Sequence, residues 1–155
     1  MNIPVRYIPK TLSKKDYKTQ KKNINKSRRL YKNHTYFIRP KVKTFKSRKS
    51  NHLNRARQLY GIDTIRPSRK LAERTGCTEN SLEKIVNKGR GAYYSSGSRP
   101  NQTPDSWGYA RLASSITGGN ASIVDYHILK DGCKPSSIAL KKARKTCKIR
   151  NKICD

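Results

Sequence analysis

The clearest pattern of apolar and polar positions lies in residues 67–86, PSRKLAERTGCTENSLEKIV, where two short apolar groups lie on either side of Gly76. Ser68 can cap a helix whose inward face carries Leu71 and Ala72. Gly76 then allows a tight turn, and Thr78 can cap a second helix. The inward positions of that second helix are Leu82, Ile85 and Val86. The pattern predicts a helix-turn-helix corner.

Helical patterns also occur on both sides of this corner. Residues 50–60 predict a helix closed by Gly61, with inward positions Leu53, Ala56, Leu59 and Tyr60. Thr103 and Pro104 start another, which passes through Trp107 and stops at Gly118-Gly119. A helix over 121–130 follows, and then one capped by Ser136 or Ser137 whose apolar face is Ile138, Leu140 and Ala143. The expected class is mainly α, with Trp107 at the centre of the core.

Charge divides the chain into three parts. Residues 1–52 hold 17 Lys and Arg and one acid, residues 53–132 hold 12 and seven, and residues 133–155 hold eight and one. This distribution, within a net charge of +28, predicts a small helical domain at 53–132 flanked by an extended basic N-terminal arm, 1–52, and a basic C-terminal helix and tail, 133–155. Alone in water, arms of this composition are expected to be disordered.

Apolar and aromatic residues are scattered through the N-terminal arm and suggest anchors for a partner along which the arm threads. The alternative is a disordered tail for nonspecific nucleic-acid contact. Residues 87–103, dense in Gly, Ser and Pro, are predicted to be a loop that binds an anion or single strand, or a structured loop pinned by its tyrosines. The candidate partner-binding residues are Ile3, Tyr7, Ile8, Tyr36, Phe37, Arg39 and Phe45 in the arm, and Arg90, Tyr93, Tyr94 and Arg99 in the loop.

A DNA-reading role for the helix-turn-helix corner is disfavoured. Its second helix would present Glu79, Asn80, Glu83 and Lys84, and two acids facing phosphate are a poor choice. A purely structural corner is the preferred interpretation.

Catalytic and metal sites find no support in the sequence. His34, His52 and His127 lie far apart, and no paired carboxylates or nucleophile motif occur. We therefore expect no enzyme activity, no cofactor and no metal. The four cysteines form no CxxC pair and are interpreted as free thiols, although a disulfide among Cys133, Cys147 and Cys154 stays open. No apolar run reaches membrane-spanning length, and the first residues do not resemble a signal peptide, so synthesis in a cytosol-like compartment is expected.

Residues 53 to about 143 resemble a small uncharacterised domain of nucleocytoplasmic large DNA viruses, above all in GAYYSSGSRPNQTPDSWGYARLASSITGGNASIVDYHIL. The resemblance implies a viral origin and a place in the virion. Together with the basic arms, it predicts a minor capsid protein on the inner side of the shell, bound to major capsid protein capsomers, to other minor capsid proteins or to the anionic inner membrane surface. The alternatives are a virion DNA-condensing protein and, less favoured, a ribosomal protein.

Overall fold

The computed structural model of the protein describes residues 2–48 and 51–154. In those ranges the chain forms a 3₁₀ turn, Val5–Tyr7, and eight α-helices: α1 (Lys14–Lys32), α2 (Asn51–Tyr60), α3 (Arg69–Thr75), α4 (Glu79–Ser95), α5 (Pro104–Ile116), α6 (Asn120–Val124), α7 (Tyr126–Gly132) and α8 (Ile138–Ile149). No strand forms in the part of the chain that the structure describes, where an isolated bridge joins Cys77 to Cys133. The expected mainly α class is confirmed.

The chain divides into two compact units. Unit 1 contains Met1–Lys49 and Arg90–Trp107, and unit 2 contains Ser50–Gly89 and Gly108–Asp155. These boundaries differ from the predicted ones, because residues 90–107 group with the N-terminal region.

The helix-turn-helix corner forms in unit 2 as the sequence predicts. Ser68 Oγ accepts a hydrogen bond from the Leu71 amide at 3.1 Å, and Thr78 Oγ1 accepts one from the Ser81 amide at 3.2 Å. Gly76 ends α3 in the left-handed conformation at φ +75°, which side chains disfavour. The side chains of Leu71, Leu82, Ile85 and Val86 are fully buried in the core of this unit.

Several predicted details of unit 2 are wrong. Leu59 and Ile138 are exposed rather than inward. Ser50, the predicted start of α2, lies outside the described residues. The expected helix over 121–130 is two helices, α6 and α7, because the chain bends at Asp125. The buried carboxylate of Asp125 accepts hydrogen bonds from Arg111 at 2.7 and 2.9 Å and from Ser115 at 2.8 Å.

The cysteines are paired, so the free-thiol interpretation is wrong. Cys77 bonds to Cys133 and Cys147 to Cys154. The first pair is brought together by backbone hydrogen bonds from the Thr78 amide to the Gly132 carbonyl and from the Lys134 amide to the Gly76 carbonyl. Fifty-six residues separate these two cysteines, so their proximity depends on tertiary structure rather than on local spacing.

Unit 1 contains the largest departure from the sequence-based expectation. The sequence predicts an extended arm over residues 1–52, whereas residues 14–32 form α1. A small buried cluster of Tyr7, Ile8 and Ile24 stabilises this unit, and Ile3, Tyr17 and Trp107 pack against it. Trp107 is therefore a half-buried flank of the smaller cluster and not the centre of the main core.

The prediction of a loop over 87–103 is wrong for its first part, because α4 continues to Ser95. The two glycines inside this stretch, Gly89 and Gly91, are helical, and the buried ring of Tyr93 anchors the last turns. Beyond the helix, Gly97 takes φ +120°. A Cβ atom there would lie 3.2 Å from both Ile24 Cγ2 and Tyr7 Cδ2.

Candidate nucleic-acid interface

One face of α1 is a continuous basic surface. At about 100° per residue, one side of the helix receives eight cations. All eight are exposed, and we call them the α1 basic face: Lys14, Lys15, Lys18, Lys21, Lys22, Lys26, Arg29 and Lys32. A helix of 19 residues is about 28 Å long. The face is thus a long, narrow row of positive charge.

The acid of α1, Asp16, is occupied by a neighbouring segment. Its Oδ2 accepts hydrogen bonds from the Thr44 amide at 2.9 Å and from Thr44 Oγ1 at 2.6 Å. These bonds lower the pKa of the Asp16 carboxyl below its usual value. Ser13 caps the helix by accepting a hydrogen bond from the Asp16 amide at 3.1 Å. Asp16 thus holds Thr44 against the start of α1.

The opposite face of α1 is held by polar as well as apolar contacts. Gln20 Nε2 donates to the Tyr7 carbonyl at 3.2 Å, and Ser27 Oγ donates to the Tyr94 carbonyl at 3.0 Å. Ile24, which lies between Gln20 and Ser27 in the sequence, is fully buried. This contact surface fixes the rotation of α1, so the basic face points to solvent.

Arg39, predicted to bind a partner, instead holds unit 1 together. Its guanidinium is buried, 3.8 Å above the ring centroid of Tyr93. It donates to Ser27 Oγ at 3.0 Å, the Tyr93 carbonyl at 2.7 Å and Ser98 Oγ at 2.8 Å. Burial lowers the pKa of Arg39, and the neighbouring Tyr93 partly opposes that shift. The hydrogen bonds of the Arg39 guanidinium are thus made within the fold.

The other predicted partner-binding residues are distributed unevenly. Tyr7, Ile8 and Tyr93 are buried and therefore do not present free anchors, whereas Ile3, Phe37 and Phe45 are half-buried. Arg90 Nε pairs with Asp105 Oδ1 at 2.7 Å. Only Tyr36 and Arg99 of the set are exposed among the described residues, and Tyr94 is half-buried.

Three tyrosines meet at the C-terminal end of α1. The rings of Tyr31 and Tyr94 are stacked with centroids 6.1 Å apart and planes 6° apart. Tyr36 lies against both, at 6.0 Å from Tyr31 and 5.2 Å from Tyr94. Burial and the nearby Tyr93 raise the pKa of Tyr94 above its usual value. We call Tyr31, Tyr36 and Tyr94 the tyrosine cluster.

A second basic surface lies on unit 2. A shallow cavity of about 440 Å³ beside α8 is bounded by the Cys147–Cys154 disulfide and by Tyr126. Its remaining lining residues are Lys141, Arg144, Lys145, Lys148 and Lys152. A lining of this composition attracts anions.

The α1 basic face was missed because its lysines were interpreted as a solvated arm. A signal was available, since the cations at 14/15, 18, 21/22, 26, 29 and 32 repeat with the helical period.

In the described ranges no helix is both long and apolar enough to cross a bilayer, and no three His, Cys, Asp or Glu residues are grouped as metal ligands.

Comparison with protein families places the chain in a family, whereas comparison with individual proteins finds no relative. No curated protein and no solved structure matches the chain. A family described as a family of unknown function, DUF5824, matches residues 4–131, a range that includes α1 and the whole helix-turn-helix corner. Because the match covers most of the sequence, the chain belongs to this family.

Proposed function

We propose that the protein is a non-enzymatic nucleic-acid-binding component of a large DNA virus particle, and that the α1 basic face meets the phosphate backbone. The observation that carries the proposal is the exposure of eight cations along one side of a single helix whose acid, Asp16, is occupied by Thr44. The viral setting rests on the sequence resemblance described above.

Electrostatics explains why this surface suits a polyanion. Cations on one face of a helix repel one another, and a polyanion that lies along the face relieves this repulsion. Binding phosphates releases the counterions condensed on nucleic acid, which drives association without base recognition. The α1 basic face carries no acid, in contrast with Glu79 and Glu83 on α4. Sequence-independent binding is therefore expected.

Lysine acetylation with and without duplex DNA tests the proposal. Lys18, Lys21 and Lys22 of the α1 basic face are expected to lose reactivity in the complex. The exposed Lys70 and Lys84 of unit 2 serve as internal controls and should keep theirs. Equal protection at both sets of lysines would show that binding is spread over the chain and would contradict the proposal.

A second candidate function is that of a minor capsid protein on the inner side of the shell, bound to capsomers or to other minor capsid proteins. The exposed apolar side chains of Val5 and Ile38 favour it, since they offer contact area to a protein partner. The buried state of Tyr7, Ile8 and Arg39 disfavours a threading arm as the mode of contact, so this candidate would rely on the folded surface.

Salt extraction of opened virions separates the two candidates. A protein held by phosphate contacts loses affinity by orders of magnitude between about 50 and 200 mM salt. Apolar contacts to a shell are not screened in this way. We expect the protein to leave with the DNA-condensing fraction. Its retention in washed shells would favour the minor capsid role.

A further inference from the structure

We infer that the tyrosine cluster is a stacking site for unpaired bases, so that the protein binds single-stranded nucleic acid at the C-terminal end of α1. This inference rests on the proposed function and adds to it a site and a substrate class. The α1 basic face supplies phosphate contacts, which any nucleic acid satisfies, whereas the tyrosine cluster acts only on bases that are free to stack.

The exposure of Tyr36 is the first observation in favour of this site. Its side chain is 64% exposed although it lies against Tyr31 and Tyr94. The adjacent Phe37 is half-buried and covered by Lys26, whose Nζ lies 4.4 Å from the ring centroid. The two neighbouring rings therefore differ in exposure, because the Phe37 ring is partly covered and the Tyr36 ring faces solvent.

Rigidity is the second observation. Tyr31 belongs to α1 and Tyr94 to α4, and the Tyr36 ring packs against both of theirs at interplanar angles of 57° and 53°. A supported aromatic ring loses little conformational entropy when a base stacks on it. Base stacking on such a ring tolerates any sequence, because every base has a π-face.

Charge complementarity identifies the occupant. Lys32, an exposed member of the α1 basic face, directly follows Tyr31, and Lys26 of the same face lies 4.4 Å from the ring centroid of Phe37, the residue next to Tyr36. An aromatic surface flanked by cations is the combination that binds single strands, with bases on the rings and phosphates on the cations. In a duplex the bases are already stacked on one another, so the tyrosine cluster adds nothing to duplex affinity.

Fluorescence anisotropy with three labelled probes of one length tests this inference: oligothymidylate, its duplex with oligoadenylate, and an abasic strand. Tyr36→Ser should lower affinity for oligothymidylate by about tenfold, since stacking contributes roughly 1–3 kcal/mol per base. Affinity for the duplex and the abasic strand should change by less than about twofold, because neither offers a free base. Tyr36→Phe should bind all three probes like the unmodified protein.

Ile38→Ser is the matched control, because Ile38 is 60% exposed in the same segment and has no ring. It should leave oligothymidylate binding unchanged. The inference is overturned if Tyr36→Ser has no effect, if it weakens all three probes equally, or if Ile38→Ser has the same effect. Loss of the lysine protection pattern would instead contradict the proposed function, so the two failures are distinguishable.

Discussion

Arg39 shows how the surroundings of one side chain decide its role. In the sequence it stands beside aromatic residues in a basic segment, a setting typical of phosphate contacts. In the fold its guanidinium joins Ser27 of α1, Tyr93 of α4 and Ser98. A buried cation whose hydrogen bonds are satisfied stabilises the structure that satisfies them.

Replacing Arg39 by Lys tests this structural role. Lysine keeps the charge but lacks the planar fork that reaches three acceptors, so Arg39→Lys should lower the free energy of unfolding by about 2 kcal/mol or more. Urea unfolding followed by the fluorescence of Trp107, the single tryptophan, reports on unit 1. Arg99→Lys, at an exposed position of the same unit, should change stability by less than about 0.5 kcal/mol. Equal stability of the two variants would refute the assignment.

Tyr60 gives a prediction for pH dependence in unit 2. Its buried hydroxyl donates to the Ile116 carbonyl, and burial raises the pKa of Tyr60 well above 10. Tyr60→Phe should therefore cost about 1–2 kcal/mol at neutral pH. In the unfolded chain this tyrosine ionises near pH 10, whereas in the fold it stays neutral, so its stabilising effect is complete below that pH and declines above it. Circular dichroism melts at pH 7 to 10.5 should show the difference between protein and variant shrinking. A difference that grows with pH would contradict this account.

At the scale of helices, local end signals carried most of the successful predictions. The helix-turn-helix corner was predicted from Ser68, Gly76 and Thr78. At the start of α5, Thr103 accepts a hydrogen bond from the Ser106 amide at 3.0 Å. Ser137 caps α8. Such signals are readable because capping bonds span only a few residues. They predicted these helices well.

Helix α1 was missed although Ser13 caps it, because its inner face is only partly apolar. The inner face of α1 carries Gln20 and Ser27 beside Ile24, and their partners Tyr7 and Tyr94 lie far away in sequence. The break at Asp125 likewise depends on Arg111, 14 residues earlier. Tertiary hydrogen bonds contribute to both features, and the partners in those bonds cannot be recognised from the local sequence. The α1 basic face could be recognised from its period, but the partners that orient it could not.

Replacing two helical glycines by alanine is predicted to have opposite effects on stability. A Cβ at Gly108 would lie 2.7 Å from the Val86 carbonyl oxygen, a backbone atom that cannot move aside cheaply. At Gly91 the nearest atom is Tyr31 Oη at 3.6 Å, an ordinary contact. Gly108→Ala should therefore lower stability by roughly 1–3 kcal/mol, whereas Gly91→Ala should raise it by up to about 1 kcal/mol through helix propensity. Thermal melts would check both signs, and stabilisation by Gly108→Ala would contradict the packing described for α4 and α5.

At the scale of the whole molecule, the disulfides make stability depend on redox state. The Cys77–Cys133 bond joins residues 56 apart and the Cys147–Cys154 bond residues seven apart, so chain entropy predicts contributions of roughly 4 and 2.5 kcal/mol. Removing the first pair as Cys77→Ser with Cys133→Ser should cost more than removing the second as Cys147→Ser with Cys154→Ser. Denaturant unfolding of each variant tests the order. The reverse order, or four reactive thiols in the unreduced protein, would contradict the pairing.

The chain carries a net charge of +28. The central claim is that the α1 basic face, rather than this positive charge as a whole, provides the nucleic-acid contacts. The most direct test is the slope of log affinity against log salt for duplex DNA. Neutralising Lys18, Lys22 and Arg29 together to Gln should reduce that slope by about 3, since each phosphate contact contributes about 0.9. The matched variant with Lys41, Lys43 and Lys46 changed to Gln removes the same charge from exposed positions of unit 1. The account predicts that this control keeps its slope within about 1 of the unmodified protein. Equal losses of slope in the two variants would contradict it.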